Sequence, residues 1–89
     1  MPKAALKHVT GIMAEHADGG VRINAVAPGL VASPCTEQSL DAKQAWELVA
    51  PLHRVATAED ISDACLALVA TRYVTGQTLL VDGGLALMI

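Results

Sequence analysis

Few residues in this 89-residue chain stand in spacings that support chemistry. His8, His16 and His53 are scattered with no metal-ligand spacing, so surface or helix-cap roles are expected and no metal site. Cys35 and Cys65 form no Cys-x-x-Cys pair and read as two reduced thiols. Ser33, Ser39 and Ser62 lack the Gly-x-Ser-x-Gly setting of a nucleophile elbow. Asp82-Gly83-Gly84 reads as a strand-ending turn rather than a metal or phosphate loop, and Tyr73, in a turn, reads as a packing residue. What remains is Val21 to Ser33, VRINAVAPGLVAS, an apolar run that stops at Pro28-Gly29 and opens into a loop of small residues. The loop leaving the C-terminal end of a parallel strand is where ligands bind in open α/β sheets.

The elements that would position this stretch can be read from periodicity and punctuation. Ala5, Leu6, Val9, Ile12, Met13 and His16 recur at helical spacing and predict one apolar stripe on a helix from about Pro2 to Ala17, ended by Asp18-Gly19-Gly20. Gly11 inside it suggests a close approach to the sheet. Val21 to Ala27 is rich in β-branched and apolar residues and predicts a strand, bracketed by turns. Leu30 to Leu40 has no period and is expected to be a loop. Asp41 is the expected N-cap of a helix over Ala42 to Ala50, with Trp46 on a lid or simply packed.

Thr57-Ala-Glu-Asp60 resembles a capping box, and Ile61, Ala64, Cys65, Leu68 and Val69 follow as the stripe of another helix. Gln77 to Asp82 predicts a second short strand, and the apolar tail Leu85 to Ile89 is expected to be buried. Strands joined by helices make a parallel crossover. The expected fold class is therefore α/β, with residues 1–89 a single partial domain in the order helix-strand-helix-helix-strand.

Composition narrows the function classes. Hydrophobic residues make up 53% of the chain with no Phe, so its core must be built from Ala, Val, Leu and Ile. A net charge of -3 without a basic run argues against nucleic acid as a partner. No apolar stretch approaches the roughly 18 residues of a membrane span, and the N-terminus has no signal-like core, so a cytoplasmic protein is expected.

Four stretches together resemble the short-chain dehydrogenase/reductase family. Lys3-Ala-Ala-Leu6 is similar to the end of its Tyr-x-x-x-Lys motif, and Arg22-Ile-Asn-Ala-Val-Ala-Pro-Gly29 to its penultimate strand and Pro-Gly turn. Ala58-Glu-Asp-Ile61 resembles the start of its last long helix, and Thr75 to Gly84 its final strand. The resemblance implies the C-terminal fragment of a Rossmann-type, doubly wound parallel sheet and a family activity of hydride transfer between NAD or NADP and an alcohol or carbonyl. It makes Lys3 the remnant of the catalytic motif, its tyrosine partner falling before Met1. By the same resemblance, Lys3, Pro28, Gly29, Val31 and Ser33 would meet the cofactor. The family's Gly-rich phosphate loop and catalytic serine are not in these residues, so the isolated chain is expected to be inactive. An alternative expectation is a non-catalytic interaction module, a homo-oligomer or a co-assembly with a full-length relative. It would pair through an exposed strand edge and through the last helix and strand.

Overall fold

The structure, a computed structural model, describes residues 3–32 and 40–89. Helix α1 spans Lys3–His16, strand β1 Ala25–Pro28, helix α2 Leu40–Val49, helix α3 Ala58–Ala70 and strand β2 Thr78–Val81, before a 3-10 turn at Leu85–Met88. β1 and β2 pair in parallel, Ala25 opposite Thr78 and Pro28 opposite Val81. α1 and α3 each pack on both strands, so the expected α/β order and parallel crossover are present. Among the described residues no helix is long and apolar enough to cross a membrane.

The ladder is shorter than the apolar runs suggested. Val21–Asn24 lies outside the ladder; the Gly76 N–H donates to the Ile23 carbonyl at 2.8 Å, and side chains do the rest. Arg22 Nη1 donates to the carbonyls of Leu68, Thr71 and Val74 at 3.1, 2.8 and 3.2 Å, and its Nη2 to that of Val69 at 2.9 Å. These are carbonyls at and beyond the end of α3, which have no intrahelical partner. The Asn24 amide donates to the Val74 carbonyl at 3.0 Å, and its oxygen accepts from the Gln77 N–H at 3.0 Å. It spans the gap where the ladder has not yet begun.

The capping box forms as the sequence predicts. The Thr57 side chain accepts from the Asp60 N–H at 3.1 Å, and the Asp60 carboxylate from the Thr57 N–H at 2.8 Å. Asp41, by contrast, does not cap α2, because the helix already starts at Leu40 and places Asp41 in its first turn. There its charge still favours the positive end of the helix dipole.

Burial is thin, and this corrects several expectations. Among the described residues the buried apolar ones are Ala27, Ala50 and Val55, and no large side chain is fully buried. α1 turns Thr10 to the sheet, its hydroxyl bonded back to the Leu6 carbonyl at 2.7 Å, with Leu6 and Ala14 half-buried beside it. Val9, Ile12 and Met13, expected in the core stripe, are exposed because the face α1 turns to the sheet is that of Leu6, Thr10 and Ala14. A side chain at Gly11 would meet nothing within 4 Å, so no close approach occurs there. Leu87, Met88 and Ile89 are exposed rather than buried, although the terminal turn meets α2. Tyr73 stands fully in solvent at the tip of its turn and is not a packing residue.

Candidate functional site

The site is the end of the sheet where both strands finish. Pro28 closes β1, and the following residues are pinned from two sides. Gly29 N–H donates to the Val81 carbonyl at 2.9 Å, and on the other flank Ala56 N–H donates to Leu30 and Ala32 N–H to Ala56, at 3.0 and 2.7 Å. Val31 and Ala56 form an isolated parallel bridge. That alternation turns the backbone groups of Val31 away from Ala56.

β2 ends in Asp82-Gly83-Gly84. Gly83 and Gly84 have φ of 65° and 90°, the left-handed region that only Gly adopts without strain. Asp82 is buried, and its carboxylate accepts from the N–H groups of Gly84 and Ala86, both at 2.9 Å. Its acceptor capacity is committed to the backbone, which fits the expected strand-ending turn. No cluster of metal ligands occurs among the described residues.

α2 lies over this end through Trp46. Between Trp46, Leu30, Leu52, Arg54, Asp82 and Gly83 lies a partly open, mostly apolar cavity of about 220 Å³. Arg54 closes one side through a two-pronged ion pair with Asp60, Nη1 to Oδ2 at 2.6 Å and Nη2 to Oδ1 at 3.1 Å. The hydrogen bonds from Arg54 and then from Thr57 hold the Asp60 carboxyl well below the usual carboxylate range, and Asp60 raises Arg54 in turn. Both groups face solvent, so the pair orders the α2–α3 connection more than it stabilises the fold.

The expected site residues are only partly brought together. Pro28, Gly29 and Val31 share the pinned turn. Lys3 is the first residue of α1, which packs on β1 and runs back along it, so Lys3 lies at the same end of the sheet as Pro28. Ser33 lies outside the described residues, as do Cys35 and Ser39. Cys65 is a free, exposed thiol on α3. His8 and His16 are exposed on α1, and exposed His53 shares a 2.9 Å hydrogen bond between Nδ1 and the Glu47 carbonyl, consistent with surface and cap roles. Sequence reasoning did not find the seating of Trp46 on Gly29 or the work of Arg22 and Asn24, because contacts 17 to 53 residues apart leave no local pattern.

A two-stranded parallel sheet flanked by helices, with a Pro-Gly turn at the strand ends, is a portion of a dinucleotide-binding fold. The family model described as enoyl-(acyl carrier protein) reductase matches residues 1–86, and the chain belongs to the short-chain dehydrogenase/reductase family. It is 38% identical to a glucose 1-dehydrogenase of Gluconobacter oxydans over 96% of this chain and 34% of that protein. It is 40% identical to carbonyl reductase family member 4 of Danio rerio over 97% of this chain and 36% of that one. Among solved structures, a small-chain dehydrogenase in complex with NADPH superposes with a TM-score of 0.84 at 29% identity, over 94% of this chain and 40% of its own. The chain thus spans about a third of the length of the curated relatives it matches.

Proposed function

We propose that this chain is the nicotinamide-side, C-terminal portion of an NAD(P)-dependent oxidoreductase acting on an alcohol or carbonyl. The pinned turn from Pro28 to Ala32 carries this reading: it holds backbone donors and acceptors in fixed directions at the carboxyl end of a parallel sheet. These residues fit one end of the cofactor. Backbone groups around Pro28 and Val31 would meet the carboxamide, Ser33 would add a hydroxyl, and Lys3 would reach the ribose. When bound, a nicotinamide supplies or accepts the hydride; the chain's own part is to orient its ring and to exclude water with Trp46 and Leu30. At the pyrophosphate end, the described residues offer no Gly-rich turn running from a strand into a helix. The only tyrosine, Tyr73, is exposed in the turn before β2. The isolated chain is therefore expected to be inactive and to bind NADH and NADPH without saturation.

Fluorescence titration with both nucleotides tests the negative half, and saturable binding would overturn it. The positive half is tested by grafting residues 1–89 in place of the matching third of the glucose 1-dehydrogenase. The chimera should bind nucleotide and reduce carbonyls, with Lys3→Ala abolishing turnover; a folded chimera that binds no nucleotide sinks the proposal.

A second reading, a non-catalytic interaction module, is favoured by the exposed apolar side chains on α1, α3 and the tail. In this reading the partner is a second copy or a full-length relative.

A further inference from the structure

The cavity at the end of the sheet is lined by residues between Leu30 and Gly83. Leu30, Trp46, Leu52, Ala56 and Val81 supply its apolar wall. Contacts within this stretch hold the wall together. The indole of Trp46 rests on Gly29, the Ala56 N–H donates to the Leu30 carbonyl at 3.0 Å, and the Leu52 N–H donates to the Gly83 carbonyl at 3.1 Å. None of these ties involves α1 or the outer edge of β1.

The polar groups of the lining are either committed or stand at the mouth. The buried Asp82 carboxylate accepts from the N–H groups of Gly84 and Ala86. Arg54 and Asp60 hold each other, and Asp60 also accepts from the Thr57 N–H. Asp63, exposed on the second turn of α3, stands at the rim. Three carboxylates against one guanidinium give the lining a negative sign. A ligand hydroxyl set against the apolar wall would leave its water without finding a partner, and an anion would meet carboxylates of its own charge. A ring or branched alkyl group suffers neither cost, and the indole offers it a flat apolar face. An apolar cavity of roughly 150 Å³ already holds benzene. This one measures about 220 Å³, room for a six-membered ring with a short substituent.

We propose that this cavity receives the side group of the substrate and selects a neutral, compact apolar one, a six-membered ring or a short branched chain next to the carbonyl or alcohol carbon. Polyols and carboxylates are turned away. The proposal rests on the oxidoreductase reading and names its substrate class. Leu30 belongs both to the pinned turn and to the cavity wall, so a group held there lies beside the turn that would meet the nicotinamide. Trp46 is the specificity-determining residue, because its ring bounds the cavity and is fixed against that same turn.

The chain has one tryptophan, so the indole N–H resonance of Trp46 reports the cavity directly. Cyclohexanol should shift it saturably, and glucose should leave it in place. Cyclohexanecarboxylate should bind about five-fold more weakly than cyclohexanol, a gap that Asp63→Asn narrows. Ala56→Leu fills the cavity from its wall, leaves the reporter intact and should remove the cyclohexanol shift. In the glucose 1-dehydrogenase graft, cyclohexanol should be oxidised with a kcat/KM at least about ten-fold above that of glucose, and Ala56→Leu should lower it by a similar factor. A chain that shows no shift with cyclohexanol, or responds to glucose equally, overturns the substrate class and leaves the oxidoreductase reading standing. So does a graft that binds nucleotide and still prefers glucose. A cyclohexanol shift that survives in folded Ala56→Leu overturns the cavity as its site. A folded graft that binds no nucleotide, while the chain still holds cyclohexanol, sinks the oxidoreductase reading and with it the claim that the occupant is a substrate.

Discussion

The indole of Trp46 occupies the space that a side chain on Gly29 would need, for a Cβ there would lie 2.5 Å from both Cη2 and Cζ2 of the ring. This contact ties α2 to the turn that ends β1. Because Trp46 is the only tryptophan, its emission reads the contact directly.

Gly29→Ala is therefore expected to push the ring outward. The emission should shift to longer wavelength, and the urea midpoint should fall by an amount equivalent to about 1–3 kcal/mol, the usual cost of overpacking. An unshifted spectrum would show that the ring is not seated on the turn.

Thr57→Ala removes one arm of the capping box on α3. A loss of about 1 kcal/mol in a denaturant melt is expected, and Thr57→Ser should recover most of it because the hydroxyl returns.

Arg22→Met should destabilise the chain by about 2 kcal/mol, since the guanidinium satisfies carbonyls at the end of α3. Arg22→Lys should rescue it only in part, because an ammonium cannot spread its donors over four acceptors. Amide exchange should quicken at Ala70 and Thr71 in both variants.

The depressed pKa of Asp60 gives a signed pH dependence. A carboxyl whose folded pKa lies below its unfolded value contributes stability that is fully present above the unfolded value, about 4, and is lost as pH falls towards the folded one. Urea midpoints of the native chain and of Asp60→Asn should differ by a constant amount from pH 5 to 8. The gap should narrow steadily below about pH 4, and 1 M salt should shrink it at all pH values. A gap that widens on acidification would contradict the Arg54–Asp60 geometry.

Much of the fold was legible because its signals are local. The capping box at Thr57, the Gly-Gly turns after α1 and β2, and the Pro-Gly stop of β1 each name a backbone conformation within a few residues. The turn at Pro28-Gly29 was legible for the same reason. Burial was not. Met13, Val9 and Ile89 carry apolar side chains in suitable patterns, yet a periodic stripe states only which face could be buried, and it takes a neighbour to bury it. Arg22 and Asn24 escaped notice because their partners sit on the far side of α3, and a long polar side chain gives no hint in sequence of which distant carbonyl it will reach.

Asn24 has a consequence for how the strands find each other. Two four-residue strands could slide past one another with little loss, and a slip of one residue would turn every side chain to the wrong face. The Asn24 amide, bonded at once to Val74 and Gln77, is an index mark: it fits in a single alignment and forfeits both bonds in any other. A sheet paired one residue out of register would thus give up two hydrogen bonds at its first rung.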